Sequence, residues 1–570
     1  MTSTPWGFRD ILPDEARVRE EISDAVKACL NAHGYAPVET PLLEDKAALE
    51  EGGRIADTPF KLFDDDRLLI VRPDNTLPIV RMVSSRMRAG NLPLRLRYQA
   101  PVVREQPQYA GASRQFTQIG YELIGAGDTP GDIEVTTLAA ESLRALGFSS
   151  WRVACGSVRP FKALLARCGA GFAARALKTV HGNDFVDLDA AVEASGEPDE
   201  VKRAIRQLPR THGGVEVLDR VDALLASAGV SEPMTGELRA LYEGLARDGD
   251  EESLASHLTF DFSLMNSFDY YTGLVFKAYA GGIADAVGSG GRYDTIFNGA
   301  IEGAGSVPAA GFAFSLERLE SARDAEVSGG VGEPRPLRIA VPKGSLKPDT
   351  LAALEAVGLD VSELRDPGRH LIVHGRDARE DGGIGAVEYI IVRPTDAPAF
   401  VACGGADCGI CGRDSLIEAN LRLLQLVDLE YGACRFIEAE PAWRAGEADR
   451  NYARRGSLRV ATKYPRIAAS WYASRGVNAE IVSLHGNIEL GPIVGMTDRI
   501  VDITATGSTL RENDLVITGE IMPCTARFFV NPGQARLDPR VRELADRLGD
   551  LMERRHEEGF EGHVIAGSAQ

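Results

Sequence analysis

Cysteine is scarce in this sequence. Its 570 residues include eight, too few and too scattered for a disulfide framework, so reduced thiols are the default reading. Long apolar runs are missing as well: no stretch approaches the roughly 18–20 residues that a membrane-spanning helix needs. The start, MTSTPWGFRD, has neither the apolar core of a signal peptide nor the Arg-rich pattern of a transit peptide, and a cytoplasmic location is expected. Positive charge is in deficit, with 63 Lys plus Arg against 83 Asp plus Glu and a net charge of −20. That balance works against non-specific association with nucleic acid or anionic membranes. It leaves room for a local basic patch around a phosphate.

What is present is an ordinary globular mixture, 44% hydrophobic and 26% charged, in a chain too long for one core. The clearest seam is DAEVSGGVGEPRP, Asp324 to Pro336, whose Gly and Pro content predicts a linker between residues 1–323 and 337–570. After it, LRIAV reads as a strand and PKGSLKPDTLAALEAVGL as a turn entering an amphipathic helix. EYIIVR, ADCGIC, LRVAT, AEIVSL and RIVDIT follow as short apolar runs, with helical sequence such as PRIAASWYASRG between them. This alternation predicts an α/β region of parallel, helix-covered sheets. The first half clusters its elements instead. ARVREEISDAVKACLNAHG has helical spacing, and RLLIVRP, LRLRYQAPVVRE and RQFTQIGYELIG alternate as strands. Helical sequence fills roughly 160–255, and FDYYTGLVFKAYAGG returns to strand. The expectation is α+β with an antiparallel sheet.

The most informative segment is IVDITATGSTL, Ile500 to Leu510. A strand ends in small, hydroxyl-bearing residues, Thr504, Ala505, Thr506, Gly507, Ser508 and Thr509. Backbone N–H groups and hydroxyls in such a loop converge readily on a phosphate. Asp498 and Asp502 precede it, and carboxylates there make sense if the ligand also carries ribose hydroxyls or Mg²⁺. No GxxxxGK[ST] is present, which argues against a P-loop NTPase. An acidic residue followed by TGxTL after an apolar strand resembles the phosphoribosyl-diphosphate (PRPP) loop of phosphoribosyltransferases. Together with LRIAVPKGSL (337–346), VRPTDAPAFV (392–401), GGADCGICGRD (404–414), RVATKYPRIA (459–468), LHGNIELGPIVGMTDRIVDITATGSTL (484–510) and FFVNPGQ (528–534), it resembles the short-form ATP phosphoribosyltransferases.

That resemblance implies two α/β lobes of the periplasmic-binding-protein kind with the substrates between them. The 5′-phosphate of PRPP would sit on 504–509, with Asp502 and Asp498 toward the ribose and Mg²⁺ held mainly through the substrate phosphates. Lys343 and Arg393 would offset polyphosphate charge, and Asp396, Asp407 and Asp414 also fit the pattern. The reaction it implies is attack of adenine N1 of ATP on the ribose C1 of PRPP with loss of diphosphate, the first step of histidine biosynthesis. Many family members carry Arg where this chain has Ser345.

Cys403, Cys408 and Cys411 have the C-x₄-C-x₂-C spacing of plant-type [2Fe–2S] ferredoxins, with Cys434 as a conceivable fourth ligand. The opposing expectation is buried thiols at chance spacing. His370 and His374 are four apart, but HLIVH reads as strand and does not form a helical two-His zinc face.

In the first half, WGFRDILPDEA, VRPDNTLPIVR, PVVREQPQ, RQFTQIGYELIG, FDYYTGLVF, GSGGRYD and GFAFSLERL resemble the class II body of histidyl-tRNA synthetase, including the motif 2 and motif 3 arginines at Arg104 and Arg318. Two departures stand out. The adenylate-supporting arginine of the synthetases has no counterpart in Asn266-Ser-Phe-Asp-Tyr-Tyr271, and the linker begins where an anticodon-binding domain would follow. What survives by resemblance is an amino-acid pocket of Asp74 (Glu in the synthetases), Thr76, Arg104, Gln118, Glu122, Tyr270 and Tyr271 around histidine. This set resembles the synthetase-like regulatory subunit of short-form ATP phosphoribosyltransferases. The expectation is therefore a fused regulatory and catalytic chain, a homo-oligomer (dimer or tetramer) that binds ATP, PRPP and inhibitory histidine but no nucleic acid or membrane. The competing readings are a non-catalytic PRPP or histidine sensor and an aminoacylating ligase.

Overall fold

The computed structural model describes residues 4–51, 59–87, 91–106, 113–246, 253–264, 271–281, 283, 285–297, 307–329, 335–379 and 383–558. The chain forms two compact units, Met1–Glu333 with Pro532–Leu537, and Pro334–Asn531 with Asp538–Gln570. Its composition makes the seam look longer than it is, because the helix Leu316–Gly329 runs well into it. Its Leu, Glu, Arg and Ala residues favour helix strongly enough to outweigh the early glycine signal.

Among the described residues, the first unit is built on a nine-stranded sheet. From edge to edge its strands are β1 (Ala36–Pro37), β5 (Leu94–Val103), β6 (Gln115–Ile124), β12 (Ala309–Ser315), β11 (Gly288–Arg292), β10 (Leu274–Ala280), β7 (Trp151–Ser157), β9 (Leu258–Asp261) and β8 (His212–Gly213). Its pairings are antiparallel except β1 with β5 and β7 with β9. A small sheet of β2 (Leu43–Asp45), β4 (Arg67–Val71) and β3 (Lys61–Asp64) accompanies it. The helix Pro13–Ala32 buries Ile22, Val26 and Leu30, one residue per turn along a single stripe. Short helices fill the region from Arg159 to Leu245.

The period-two alternation of β6 decides where the site can form. Ile119, Tyr121 and Leu123 point one way, and Tyr121 reaches the carbonyl of Val135 in the helix Asp128–Ala145. Gln118, Gly120 and Glu122 point the other way, toward the helix Thr76–Arg86.

The second unit contains two sheets. The first runs β14 (Ile372–Arg376), β15 (Ala386–Val392), β13 (Leu337–Pro342), β16 (Cys408–Gly412), β23 (Ala526–Val530) and β17 (Leu424–Asp428). The second runs β20 (Ala479–Ser483), β19 (Leu458–Thr462), β21 (Arg499–Thr504), β18 (Cys434–Pro441) and β22 (Leu515–Cys524). The alternating apolar runs form the parallel cores expected, β15-β13-β16 and β20-β19-β21. Antiparallel strands complete both sheets, which corrects the all-parallel expectation. The cause is the chain path. It passes from the first sheet to the second between β17 and β18, and returns at Thr525, so β18, β22 and β23 run against their neighbours. The two crossings bond to each other, Ala526 N–H to Tyr431 O and Leu429 N–H to Ala526 O, each at 2.9 Å. The helix Pro539–Glu557 buries Val541, Leu544, Leu548 and Leu551 along one face.

Candidate functional site

In each sheet of the second unit the strand order reverses beside the first parallel strand. The chain runs β13, β15, β16, with β15 and β16 on opposite sides of β13; it runs β19, β20, β21, with β20 and β21 on opposite sides of β19. Loops leaving the carboxyl ends of strands diverge at such switch points and open a crevice where open α/β sheets bind ligands. Lys343 follows β13, Arg393 follows β15 and Asp414 lies just after β16. The Lys343 N–H donates to the carbonyl of Val392 (2.9 Å), which holds the first two ends side by side. Lys463 follows β19, and the Thr504–Thr509 loop leaves β21.

The loop is shaped by its own hydroxyls. Gly507 N–H donates to Thr504 Oγ1 (2.9 Å), Ser508 N–H to Thr506 Oγ1 (3.4 Å), and Arg511 Nη1 to the Thr506 carbonyl (2.9 Å). Gly507 has φ +71°, a left-handed conformation that glycine takes without strain. Ala505, Thr506, Ser508 and Thr509 are exposed.

The acidic candidates separate. Asp502 lies on β21, and its Oδ1 accepts from Ile503 N–H (2.8 Å). Burial pushes its carboxyl up to about 6; Glu489 acts in the same direction, while the Ile503 N–H and Lys463 oppose it. The carboxyl of Asp414 is also raised by burial and opposed by Lys463. Lys463 thus acts on two carboxylates, Asp414 from the first sheet and Asp502 from the second. Asp396 sits at the N-terminus of the helix Ala397–Ala402, exposed, with its N–H bonded to the carbonyl of Arg393 (2.9 Å).

Two expected positions are elsewhere. Asp498 precedes β21 at its other end, bonded to Asn451 Nδ2 (2.9 Å), Arg459 N–H (2.9 Å) and Arg455. Six extended residues put it about 20 Å from the loop. Asp407 precedes β16, buried, with both carboxylate oxygens on Arg335 (2.6 and 2.9 Å) and one on Arg338 N–H (2.9 Å). Both carboxylates tie strand starts rather than line the crevice. Lys463 was not anticipated. Its signal was its position, a lysine at the end of a strand in LRVATK, and its significance rests on which strand lies next to it.

The ferredoxin-like cysteine spacing does not produce a cluster. Cys408 and Cys411 are three apart on β16 and therefore face opposite ways, each fully buried. Cys403 is exposed at the end of a helix, and Cys434 pairs in register with Cys524 across β18 and β22. His374 lies on β14 opposite Glu388, as the strand reading of HLIVH requires.

The first unit gathers most of its expected pocket. Glu122 is fully buried and accepts from Thr76 Oγ1 (2.9 Å), the Tyr98 hydroxyl (3.4 Å) and the Tyr293 hydroxyl. A Cβ on Gly311, its register partner on β12, would overlap Glu122 Oε2. Burial pushes the Glu122 carboxyl up to about 7; Asp74 adds to the rise and the three hydroxyls oppose it. Asp74 accepts from Leu77 N–H (3.2 Å), and Gln118 Oε1 accepts from Asn75 Nδ2 (2.8 Å). Tyr271 is buried against Gly291. The Arg104 Nε donates to Pro73 O (2.8 Å), and its guanidinium lies 4.9 Å from the Phe116 ring. Arg318 donates to Ala286 O (2.9 Å). Tyr270 and the stretch from Asn266 lie outside the described residues. Tyr98, Asn75 and Tyr293 complete the cluster and had not been singled out; Tyr98, on the alternating strand β5, looks like core. Two carboxyls and several hydroxyls at one buried spot suit a ligand bearing an ammonium group and a polar side chain.

Similarity to known proteins divides between the first and the second half of the chain. The family model for histidyl-tRNA synthetase matches residues 7–319, and that for ATP phosphoribosyltransferase matches residues 393–550. The ATP phosphoribosyltransferase of Rubrobacter xylanophilus is 48% identical over 233 residues, 41% of this chain and 100% of the relative. The ATP phosphoribosyltransferase regulatory subunit of Moorella thermoacetica is 34% identical over 324 residues, 56% of this chain and 81% of the relative. A crystal structure described as an ATP phosphoribosyltransferase regulatory subunit/histidyl-tRNA synthetase from Bacillus halodurans aligns with TM-score 0.51 at 27% identity, covering 65% of this chain and 91% of that one.

Proposed function

The chain belongs to the histidyl-tRNA synthetase family in its first half and to the ATP phosphoribosyltransferases in its second, and from that premise we propose how its two sites divide the work. The second half is an ATP phosphoribosyltransferase of histidine biosynthesis, carried on one chain with the regulatory partner that its relatives have as a separate subunit. The observation that supports the site assignment is that Lys343, Arg393, Asp414, Lys463 and the 504–509 loop all follow the carboxyl ends of strands flanking the two switch points.

In this reading the two sheets are lobes of a periplasmic-binding-protein-like unit, with ATP and PRPP between them. The 5′-phosphate of PRPP rests on Thr504–Thr509, whose hydroxyl bonds shape the turn before the ligand arrives. Asp502 accepts from the ribose hydroxyls. Lys343 and Arg393 offset phosphate charge. Asp414 and Asp396 flank the same crevice, while Asp498 and Asp407 serve the strand starts. Adenine N1 attacks C1 with its own lone pair, and the C1–O bond breaks with its electron pair passing to diphosphate. No strong base is needed, so the acceleration comes from alignment and from cationic stabilisation of the leaving group. Among the described residues no three His, Cys, Asp or Glu side chains converge as a metal site. Mg²⁺ would be held mainly through the substrate phosphates, where it would offset the charge of the departing diphosphate.

The first unit is the histidine sensor. Asp74 and Glu122 take the ammonium, and Thr76, Gln118 and the tyrosines, including Tyr270 and Tyr271, take the remaining polar groups. Histidine bound there shifts the equilibrium of the catalytic unit toward an inhibited form, a coupling free energy between two sites. The net charge of −20 and the engagement of Arg104 and Arg318 with backbone carbonyls disfavour the aminoacylating reading. No described helix is long and apolar enough to cross a membrane. The reading is of a cytoplasmic homo-oligomer, a dimer or tetramer. The test is a histidine titration of the transferase in wild type and in Glu122→Gln. Inhibition lost in the variant with turnover retained supports the division of labour, and unchanged inhibition overturns it.

A further inference from the structure

Lys463 stands where two carboxylates and the phosphate loop meet, and the transfer reaction as described gives it no task. We propose that Lys463 is a positioning residue for phosphoribosyl transfer: its ammonium keeps Asp502 ionised and presented to the ribose hydroxyls. This rests on the reading of Asp502 as the ribose acceptor.

The placement follows from register. β19 and β21 are parallel, with Val460 opposite Arg499, Ala461 opposite Ile500 and Thr462 opposite Val501. The next position beyond the end of β19 is Lys463, level with Asp502. The turn that follows is fixed, because Tyr464 N–H donates to Thr462 Oγ1 (2.9 Å) before the helix Pro465–Ser474 begins. The lysine is supported as it leaves the strand. Its Nζ lies 5.8 Å from the Tyr464 ring centroid, and that ring packs edge-on against Phe436 at 4.8 Å.

The other groups around Asp502 do not supply the same field. On β18 its register partner is the apolar Ile437, and Arg435, opposite Thr504, is paired with Glu520 (3.1 Å). Arg511 is turned to the Thr506 carbonyl (2.9 Å). Glu489, at the start of the helix Leu490–Ile493, contributes negative charge. Burial and Glu489 both favour the protonated acid, and Lys463 favours the carboxylate. A neutral carboxyl is the weaker acceptor for a hydroxyl. Lys463 also acts on Asp414, at the start of the helix Arg413–Ala419, so its charge reaches a carboxylate from each sheet.

The experiment is the pH dependence of kcat/KM for PRPP between pH 5 and 9, at saturating ATP and Mg²⁺, in the full-length protein. Wild type shows an acid limb near pH 6. Lys463→Met moves that limb up by about one unit, so the tenfold loss it causes is seen on the acid side and fades toward pH 9. Lys463→Arg restores the limb, and Glu489→Gln moves it down. A limb that stays in place in Lys463→Met, or a loss equal at every pH, overturns the proposal. Asp502→Asn separates the premise from the inference. A limb that persists in that variant overturns the reading of Asp502 and this proposal with it. A limb lost there but unmoved in Lys463→Met refutes the role of Lys463 alone.

Discussion

Replacing Glu122 by Gln tests the sensor pocket through its cost to the free protein. In the unfolded chain this carboxyl titrates near 4.5, whereas in the folded state burial holds it up to about 7. The folded protein therefore binds the proton more tightly. The stability this group contributes is full below about 4.5 and is lost as pH rises through about 7. The interval is worth about 3 kcal/mol at about 1.36 kcal/mol per unit. Gln keeps the shape and an acceptor for Thr76 and Tyr98, offers Tyr293 an N–H donor in place of the second oxygen, and does not ionise. Relative to wild type, Glu122→Gln should gain stability from pH 5 upward and level off near pH 8, about 3 kcal/mol ahead. Amide hydrogen exchange across β6, with both proteins compared at each pH, reads this locally and cancels the intrinsic pH dependence of exchange. A difference that is flat with pH, or a wild type more stable at pH 8, would refute the claim that a strained carboxyl waits there for a cationic ligand.

Other outcomes follow from the same geometry. Gly311→Ala drives a methyl group into Glu122 Oε2; histidine inhibition should weaken by at least about tenfold, with a destabilisation of about 1–3 kcal/mol, measured by inhibitor titration and thermal unfolding. Arg292 bonds Asp132 (2.8 Å) and Asp294 (2.9 Å) in the buried floor of the same unit. Arg292→Met should cost about 3–5 kcal/mol at neutral pH because it strands the buried carboxylate of Asp132, and Asp132→Asn added to it should recover part of the loss in urea unfolding. Gly507→Val, at φ +71°, should raise the KM for PRPP by at least about tenfold while leaving the far-ultraviolet dichroism unchanged, since the strain is confined to one exposed turn.

The loop assigned to phosphate stood out in the sequence because a strand ending in TATGST gathers small residues and hydroxyls where backbone N–H groups can converge on an anion. The sequence also made the two halves and most strands visible, through period-two alternation and short apolar runs. It was less informative where meaning depends on partners far along the chain. β18, β22 and β23 lack a distinctive pattern, and their antiparallel placement follows from the chain crossing twice between sheets. Asp498 and Asp502 are close in sequence, yet extension along β21 sets them about 13 Å apart, Asp502 toward the loop and Asp498 before the strand's other end. Asp407 looked like a site acid within GGADCGICGRD until Arg335 was seen to hold both its oxygens. The cysteine spacing was misleading for the same reason of pleat, since three residues along a strand invert the face. Lys463 gained significance only from the register of β19 with β21.

The most direct measurement is diphosphate release from ATP and PRPP with Mg²⁺, followed during a histidine titration of the intact chain. The account predicts steady turnover that histidine suppresses in wild type, and turnover that resists histidine in Glu122→Gln. Turnover indifferent to histidine in the wild-type protein would contradict the claim that the first unit senses the end product and governs the second.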